Sequence, residues 1–401
     1  MIKEIKIKIE KTDKKFKEDP YHFAKNLFNQ NSKVNGAPTF SAKDASDHFS
    51  KLYRDENRNY KYSPPSGLKR PKLPDFAFSD RCPTFKELKR SVKRKRNAAA
   101  PGLNSLPYVP YKKCNSILNF IHKLGIKIWK SEEIPDGWAQ AYIVLLAKSD
   151  DLSDCSEFRP IAITSAASKI LFSVVARRLE RFLLKNNYIS SVIQKGFLTG
   201  VAGCIEHAFA LFEALKEAKT HKRQIVVTWI DLANAYGSVR HNLIQFALDW
   251  YHVPKKIQRL IFDYYEKLMA KIETQNWSTP FFLFDIGLFQ GCVLSTILFD
   301  CVFQLLLDFL KPLDDFGYGY KTCQGVKRLA RAYADDLTFM THNSKQNQKA
   351  CDQAVKWLDW TDTMAAKPRK CVTLGLKSFL KKDGNNNFIS PNQNIYRLIH
   401  K

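Results

Sequence analysis

Helical and strand-like segments follow one another along these 401 residues without the regular alternation of a parallel sheet. That order suits an α+β fold built on a mixed or antiparallel sheet with packed helices. The strand signal is clearest at Val226-Val227-Thr228-Trp229-Ile230, a β-branched run that ends at Asp231. About a hundred residues later, Arg331 to Met340 reads as two short apolar strands meeting at Asp335-Asp336. A hydrophobic content of 45% over this length supports a full core.

Residues 11–53 read as two polar helices. Ser41 and Asp44 form a capping box for the second, striped by Ala45, Phe49 and Leu52 or Tyr53. Residues 54–84, rich in Pro, Lys, Arg, Asn and Tyr, read as a linker or an extended arm lying on something else. Phe85 to Arg96 is a basic helix, closed by a tight turn at Ala100-Pro101-Gly102-Leu103-Asn104. Trp138 to Leu146 and Phe158 to Ile163 are strands on either side of the turn Lys148-Ser149-Asp150-Asp151. Helices are expected at Ser168–Leu184, Cys204–Ala218, Ala235–Trp250 and Ile297–Leu310. The chain divides into a helical extension (1–53), the arm (54–84), a region at 85–225, a second at 226–376 and a polar tail at 377–401.

A net charge of +25 points to a polyanionic partner. The nine cysteines show no Cys-x-x-Cys pair and no histidines at finger spacing, which argues against zinc and for reduced thiols. No signal peptide or membrane span is expected, because Asp300 and Asp308 interrupt the longest apolar run.

An Asp-Asp pair at a turn suits a solvated turn as well as a cation site, and Asp231 could simply cap the helix expected from Ala235. The three acids read together favour cation binding. They also resemble reverse transcriptases. In that family the first palm motif is a strand-end Asp with an aromatic residue five positions on, here Asp231 and Tyr236. The third is Tyr-x-Asp-Asp, here Tyr333-Ala334-Asp335-Asp336. Gly287-Leu288-Phe289-Gln290-Gly291-Cys292-Val293-Leu294-Ser295 resembles the second palm motif, and Pro101-Gly102 the first motif of the fingers. Gln194-Lys195-Gly196-Phe197 is similar to the entry to the palm, and Lys370 to Leu374 to the fourth motif. The set is most similar to non-LTR (LINE-type) retrotransposon enzymes and spans roughly Lys86 to Leu376. Two departures are Gly237 where relatives often carry Asp, and Thr296 where they usually carry Pro.

The resemblance implies the fingers (85–225) and palm (226–376) of a right-hand polymerase, with a thumb apparently missing. It implies an RNA-directed DNA polymerase that extends a primer 3′-hydroxyl with dNTPs. Two divalent ions about 3.5–4 Å apart would activate the hydroxyl and neutralise the triphosphate. Mg²⁺ is expected, with Mn²⁺ a possible substitute, on Asp231 and Asp335, with Asp336 as an intermittent third ligand. Tyr236 occupies the position of the sugar gate. Lys148 and Arg159 resemble the triphosphate-binding pair, Gln290 and Gly291 lie where the nascent base pair and template base pass, and Lys370 is placed as a general acid. Expected partners are an RNA template, a DNA primer or target, and dNTPs, with a nuclear site of action for an active element. Two alternatives share these motifs: a decayed or truncated RNA-binding remnant, and a group II intron maturase-like protein.

Overall fold

The computed structural model describes residues 36–325 and 327–377, together with strands at 381–382, 388–389 and 394–398. The earlier of the two helices expected in 11–53 therefore lies outside the described residues. The other forms as α1 (Ala42–Leu52), where the Ser41 side chain accepts from the Asp44 amide and the Asp44 carboxylate accepts in return. Ala45, Phe49 and Tyr53 are buried, and the Tyr53 ring stacks on Phe284 with centroids 4.1 Å apart. Leu52, the other candidate for that stripe, is 38% exposed.

Residues 54–84 form no helix or strand, yet side chains bond them to the body. Arg58 pairs with Asp285 at 2.9 Å, and the Tyr62 hydroxyl donates to the Thr361 carbonyl at 2.8 Å. The Asn186 side chain accepts from the Phe76 amide at 2.8 Å, and Leu68 and Phe78 are buried.

Thr84 and Glu87 cap the basic helix α2 (Phe85–Lys93), which ends short of the expected Arg96 as the chain turns at Arg94-Lys95. Helices α3 (Tyr108–Lys113) and α4 (Asn115–Ser131) follow, then strands β1 (Gln140–Ala147) and β2 (Phe158–Thr164) and helix α5 (Ala166–Lys185). β1 and β2 pair antiparallel, with Leu146 opposite Arg159. Gly102 presses against the Ser165 backbone at the start of α5, so closely that a Cβ would overlap it. The Tyr142 hydroxyl donates to the Pro101 carbonyl at 3.0 Å, fixing the Pro-Gly turn beside β1.

Next come α6 (Cys204–Thr220), β3 (Ile225–Ile230), β4 (Leu232–Ala233), α7 (His241–Trp250) and α8 (Lys255–Glu266). They are followed by β5 (Met269–Ile272), β6 (Phe282–Leu283) and α9 (Ser295–Asp315). The remaining elements are β7 (Tyr320–Lys321), β8 (Lys327–Arg328), β9 (Ala330–Tyr333), β10 (Asp336–Thr341), α10 (Ser344–Thr361), β11 (Ala365–Ala366) and β12 (Val372–Lys377), then β13 (Lys381–Lys382), β14 (Phe388–Ile389) and β15 (Asn394–Leu398).

Two sheets organise the molecule. A mixed sheet has the order β2-β1-β5-β6, with β5 parallel to β1. Residues 269–283, assigned from sequence to the second region (226–376), thus complete the sheet of the first, because β5 pairs with a strand far upstream. The other sheet, β15-β12-β3-β10-β9, is antiparallel throughout. One of its faces packs on α9 and α10 through residues such as Leu337 and Phe339, while α6 covers part of the other through Ala214 and Ala218. The polar tail expected at 377–401 needs correcting at its end. Residues 394–398 form an edge strand, and the backbone of β12 is paired on both sides. Among the described residues no α-helix follows α10, and none is long and apolar enough to cross a membrane.

Candidate active site

The register of the antiparallel sheet brings the acids together. Ile230 pairs with Leu337, so the next residues outward, Asp231 and Asp336, lie side by side. Asp336 also pairs with Tyr333, which leaves Ala334-Asp335 as the tip of the β9–β10 turn. On β9 the inward residues are Ala330 and Ala332. Arg331 and Tyr333 face an open cavity of about 740 Å³. Asp231, Asp336, Lys370, Trp229 and His207 line the same cavity.

The turn is strained and held. Ala334 sits in the left-handed region at φ 55°, unusual for a residue with a Cβ. The Gln194 side chain, read from sequence only as part of the palm entry, clamps it: its oxygen accepts from the Ala334 amide at 2.8 Å and its nitrogen donates to the Ala334 carbonyl at 3.0 Å. A Cβ on Gly196 would overlap the Ala334 backbone nitrogen. Gly196→Ala is therefore expected to cost about 1–3 kcal/mol and to displace the acids, because backbone on both sides of the contact cannot yield. A urea titration checks this, and an unchanged midpoint would refute it.

Burial pushes the Asp335 carboxyl up; its own backbone amide opposes this, and the charges of Asp336 and Asp231 add to the rise. Asp336 is raised by burial and then by Asp231. Carboxylates that repel one another in a half-buried cleft are the donor set a hard divalent cation relieves. Among the described residues no three His, Cys, Asp or Glu donors are close enough to hold an ion by themselves. The fit is therefore to an ion such as Mg²⁺, which takes one or two carboxylates and completes its shell with water and substrate oxygens.

Asp231 is not a helix cap. It is followed by β4, which pairs with β11, and α7 starts only at His241, with Arg240 as its N-cap residue. The helix expected from Ala235 is delayed because its first residues bond elsewhere. The carbonyls of Tyr236 and Val239 accept from Leu288 and Gly287, each at 2.8 Å. Tyr236 stacks on Phe299 with centroids 4.8 Å apart and ring planes 8° apart. Gly237 leaves room for the Asn234 side chain, which occupies the space a Cβ would need. Gly291 has φ 120°, and a Cβ there would overlap the Ala162 carbonyl. Its tight neighbour in the protein is thus the backbone of β2. Gln290 is bound into the same junction, its carbonyl accepting from the Ala162 amide at 2.7 Å.

Lys370 extends to within 4.0 Å of the Asp231 carboxylate, and the Lys367 amide donates to the Asp231 carbonyl at 2.7 Å. Lys148 donates to the Ser156 carbonyl at 2.7 Å. Burial lowers its pKa, Glu157 opposes, and the nearby charges of Arg159, Lys367 and Lys370 lower it further. The expected triphosphate pair and the expected general acid therefore share one cationic cluster. Lys367 is an addition to it whose only sequence signal was its nearness to Lys370. A second cavity, of about 550 Å³ between α2 and α5, is lined by Arg90, Arg177, Arg178, Arg181 and Lys185.

A family model described as reverse transcriptase (RNA-dependent DNA polymerase) matches residues 146–381. The Retrovirus-related Pol polyprotein from type-1 retrotransposable element R2 of Nasonia vitripennis is 26% identical over 322 residues, 78% of this chain and 30% of that protein. Its counterpart from type-2 retrotransposable element R2DM of Drosophila melanogaster is 29% identical over 247 residues, 61% and 22% respectively. The chain thus spans less than a third of the length of these two relatives. Apo telomerase from Candida tropicalis, truncated from its C-terminal domain, superposes with a TM-score of 0.44 at 13% identity, over 72% of this chain and 67% of that one.

Proposed function

Because the chain belongs to the reverse transcriptase (RNA-dependent DNA polymerase) family, we propose that it extends a primer 3′-hydroxyl with dNTPs on an RNA template, as part of a non-LTR element. The observation that carries this reading is the sheet register that sets Asp231 beside Asp336, with Asp335 on the adjoining turn. Asp231 and Asp335 would hold divalent ions, Mg²⁺ or Mn²⁺, with Asp336 contributing intermittently. Such ions, when bound, supply hydroxyl activation and neutralisation of the triphosphate.

The chain's own residues do the rest. Lys148 and Arg159 hold the triphosphate, Arg by a two-pronged fork and Lys as a point charge. Lys370, beside Asp231, delivers a proton to the departing pyrophosphate. The Tyr236 ring, set by Phe299, excludes a sugar 2′-hydroxyl. Gln290 and Gly291 border the nascent base pair. The R2 relatives support assignment to a retrotransposon, whose DNA target would place the work in the nucleus.

The test is extension of a DNA primer on matched RNA and DNA templates, with and without a chelator. Incorporation of dNTPs on RNA that stops with the chelator is expected, and binding without incorporation under any metal would leave an RNA-binding protein instead. Template affinity should rest on Lys89, Arg90 and Lys93 of α2 and on Arg94 just after it. With about five phosphates held, log affinity should fall against log salt with a slope of roughly −3.5 to −4.5. A slope near zero in a salt titration of RNA binding would reject the basic face.

A further inference from the structure

Helix α9 carries a buried acid, Asp300, and a half-buried one, Asp308, and they are satisfied very differently. Asp308 accepts from the Tyr251 hydroxyl at 2.7 Å and from the Gln304 amide at 2.7 Å. Asp300, at 1% exposure, has no partner for either oxygen among the described residues. A buried carboxyl without a partner is costly, and nothing in the packing of α9 calls for a polar residue there.

The group that matches it is close by. Phe299, next in the chain, is the ring on which Tyr236 stacks, and the Tyr236 hydroxyl is also buried without a partner among the described residues. Burial holds the Tyr236 phenol in its protonated form, and any ionised Asp300 or Asp335 beside it would hold it there more firmly. Asp300 is likewise pushed toward its neutral form by burial and, after it, by Glu180. Glu180 is already engaged by the Thr199 amide and hydroxyl, at 2.5 and 3.0 Å. Two neutral, orphaned groups that can both donate and accept thus lie in one buried layer. Tyr251 with Asp308 shows the same chemistry completed on the same helix.

We propose that Asp300 is a positioning residue for Tyr236: its carboxyl pairs with the phenol, directly or through one water, and fixes the ring against the incoming sugar. Stacking on Phe299 sets the plane of the ring but leaves it free to slide in that plane. A hydrogen bond at the hydroxyl removes that freedom. Asp300 touches no substrate and acts only through the ring. The inference rests on the reading of Tyr236 as the sugar gate.

The readout is the ratio of kcat/KM for a dNTP to that for the matching rNTP, in single-nucleotide extension by the full chain. Asp300→Leu and Tyr236→Phe are each expected to lower that ratio about tenfold, equivalent to about 1.4 kcal/mol. The double variant should fall no further than either single one, and Asp300→Asn, which still hydrogen-bonds, should keep most of the discrimination. A merely structural role would give independent effects that multiply. Tyr236→Phe removes one oxygen and leaves α9 intact, so it tests the pairing even if Asp300→Leu does not fold. An unchanged ratio in Tyr236→Phe, or multiplied effects in the double variant, would overturn the proposal. If Tyr236→Ala relaxes discrimination and Tyr236→Phe does not, the gate stands and the pairing alone fails. If Tyr236→Ala changes nothing, the gate itself fails and the pairing with it.

Discussion

Asp231→Asn and Asp335→Asn are each expected to reduce primer extension on the order of a thousandfold or more, with RNA affinity nearly unchanged. Asn keeps the size of the side chain and one oxygen but removes the charge that a divalent ion requires. The two positions lie at the ends of β3 and β10, which pair antiparallel, so neither can replace the other. RNA affinity is spared because the cationic groups of α2 and α5 line a separate cavity. Burial first, and then mutual repulsion, raises the Asp335 and Asp336 carboxyls, so removing one acid relieves part of that penalty on the rest. Extension rates and filter binding on the same preparations decide the matter. Most of the activity surviving in either variant would reject the metal assignment.

The second large effect is expected at Tyr236. Tyr236→Ala or Tyr236→Val should raise rNTP use relative to dNTP by roughly a hundredfold, about 2.7 kcal/mol at 1.36 kcal/mol per decade. The ring is clamped on Phe299 and cannot swing aside to admit a 2′-hydroxyl without giving up its stacking. The ratio of the two incorporation efficiencies is the measurement, and an unaltered ratio would remove the gate.

The acids were legible only together: Asp231 alone suits a helix cap and Asp335-Asp336 alone a solvated turn, but their order and spacing fit one motif set. The capping box of α1 was readable because a side chain and the amide three residues on settle it within one turn. The helix expected at Ala235 was misread because propensity does not report where backbone carbonyls are already spent. Here they go to Gly287 and Leu288, some fifty residues downstream.

The chain by itself determined the strands and helices around the acidic motifs, the basic face of α2, and the acids and most of the cations available for chemistry. These depend on periodicity, capping and charge, which are local. Only the tertiary structure decided that β3 lies beside β10 in a register aligning Asp231 with Asp336, and that β5 leaves the region of its neighbours to join β1. It alone assigned Gln194 to clamp Ala334, and it alone left Asp300 and Tyr236 buried without partners. Those outcomes rest on contacts between residues far apart in sequence. No single segment carries their register, because it is set by the joint burial of both sheet faces and by satisfaction of the backbone groups between them.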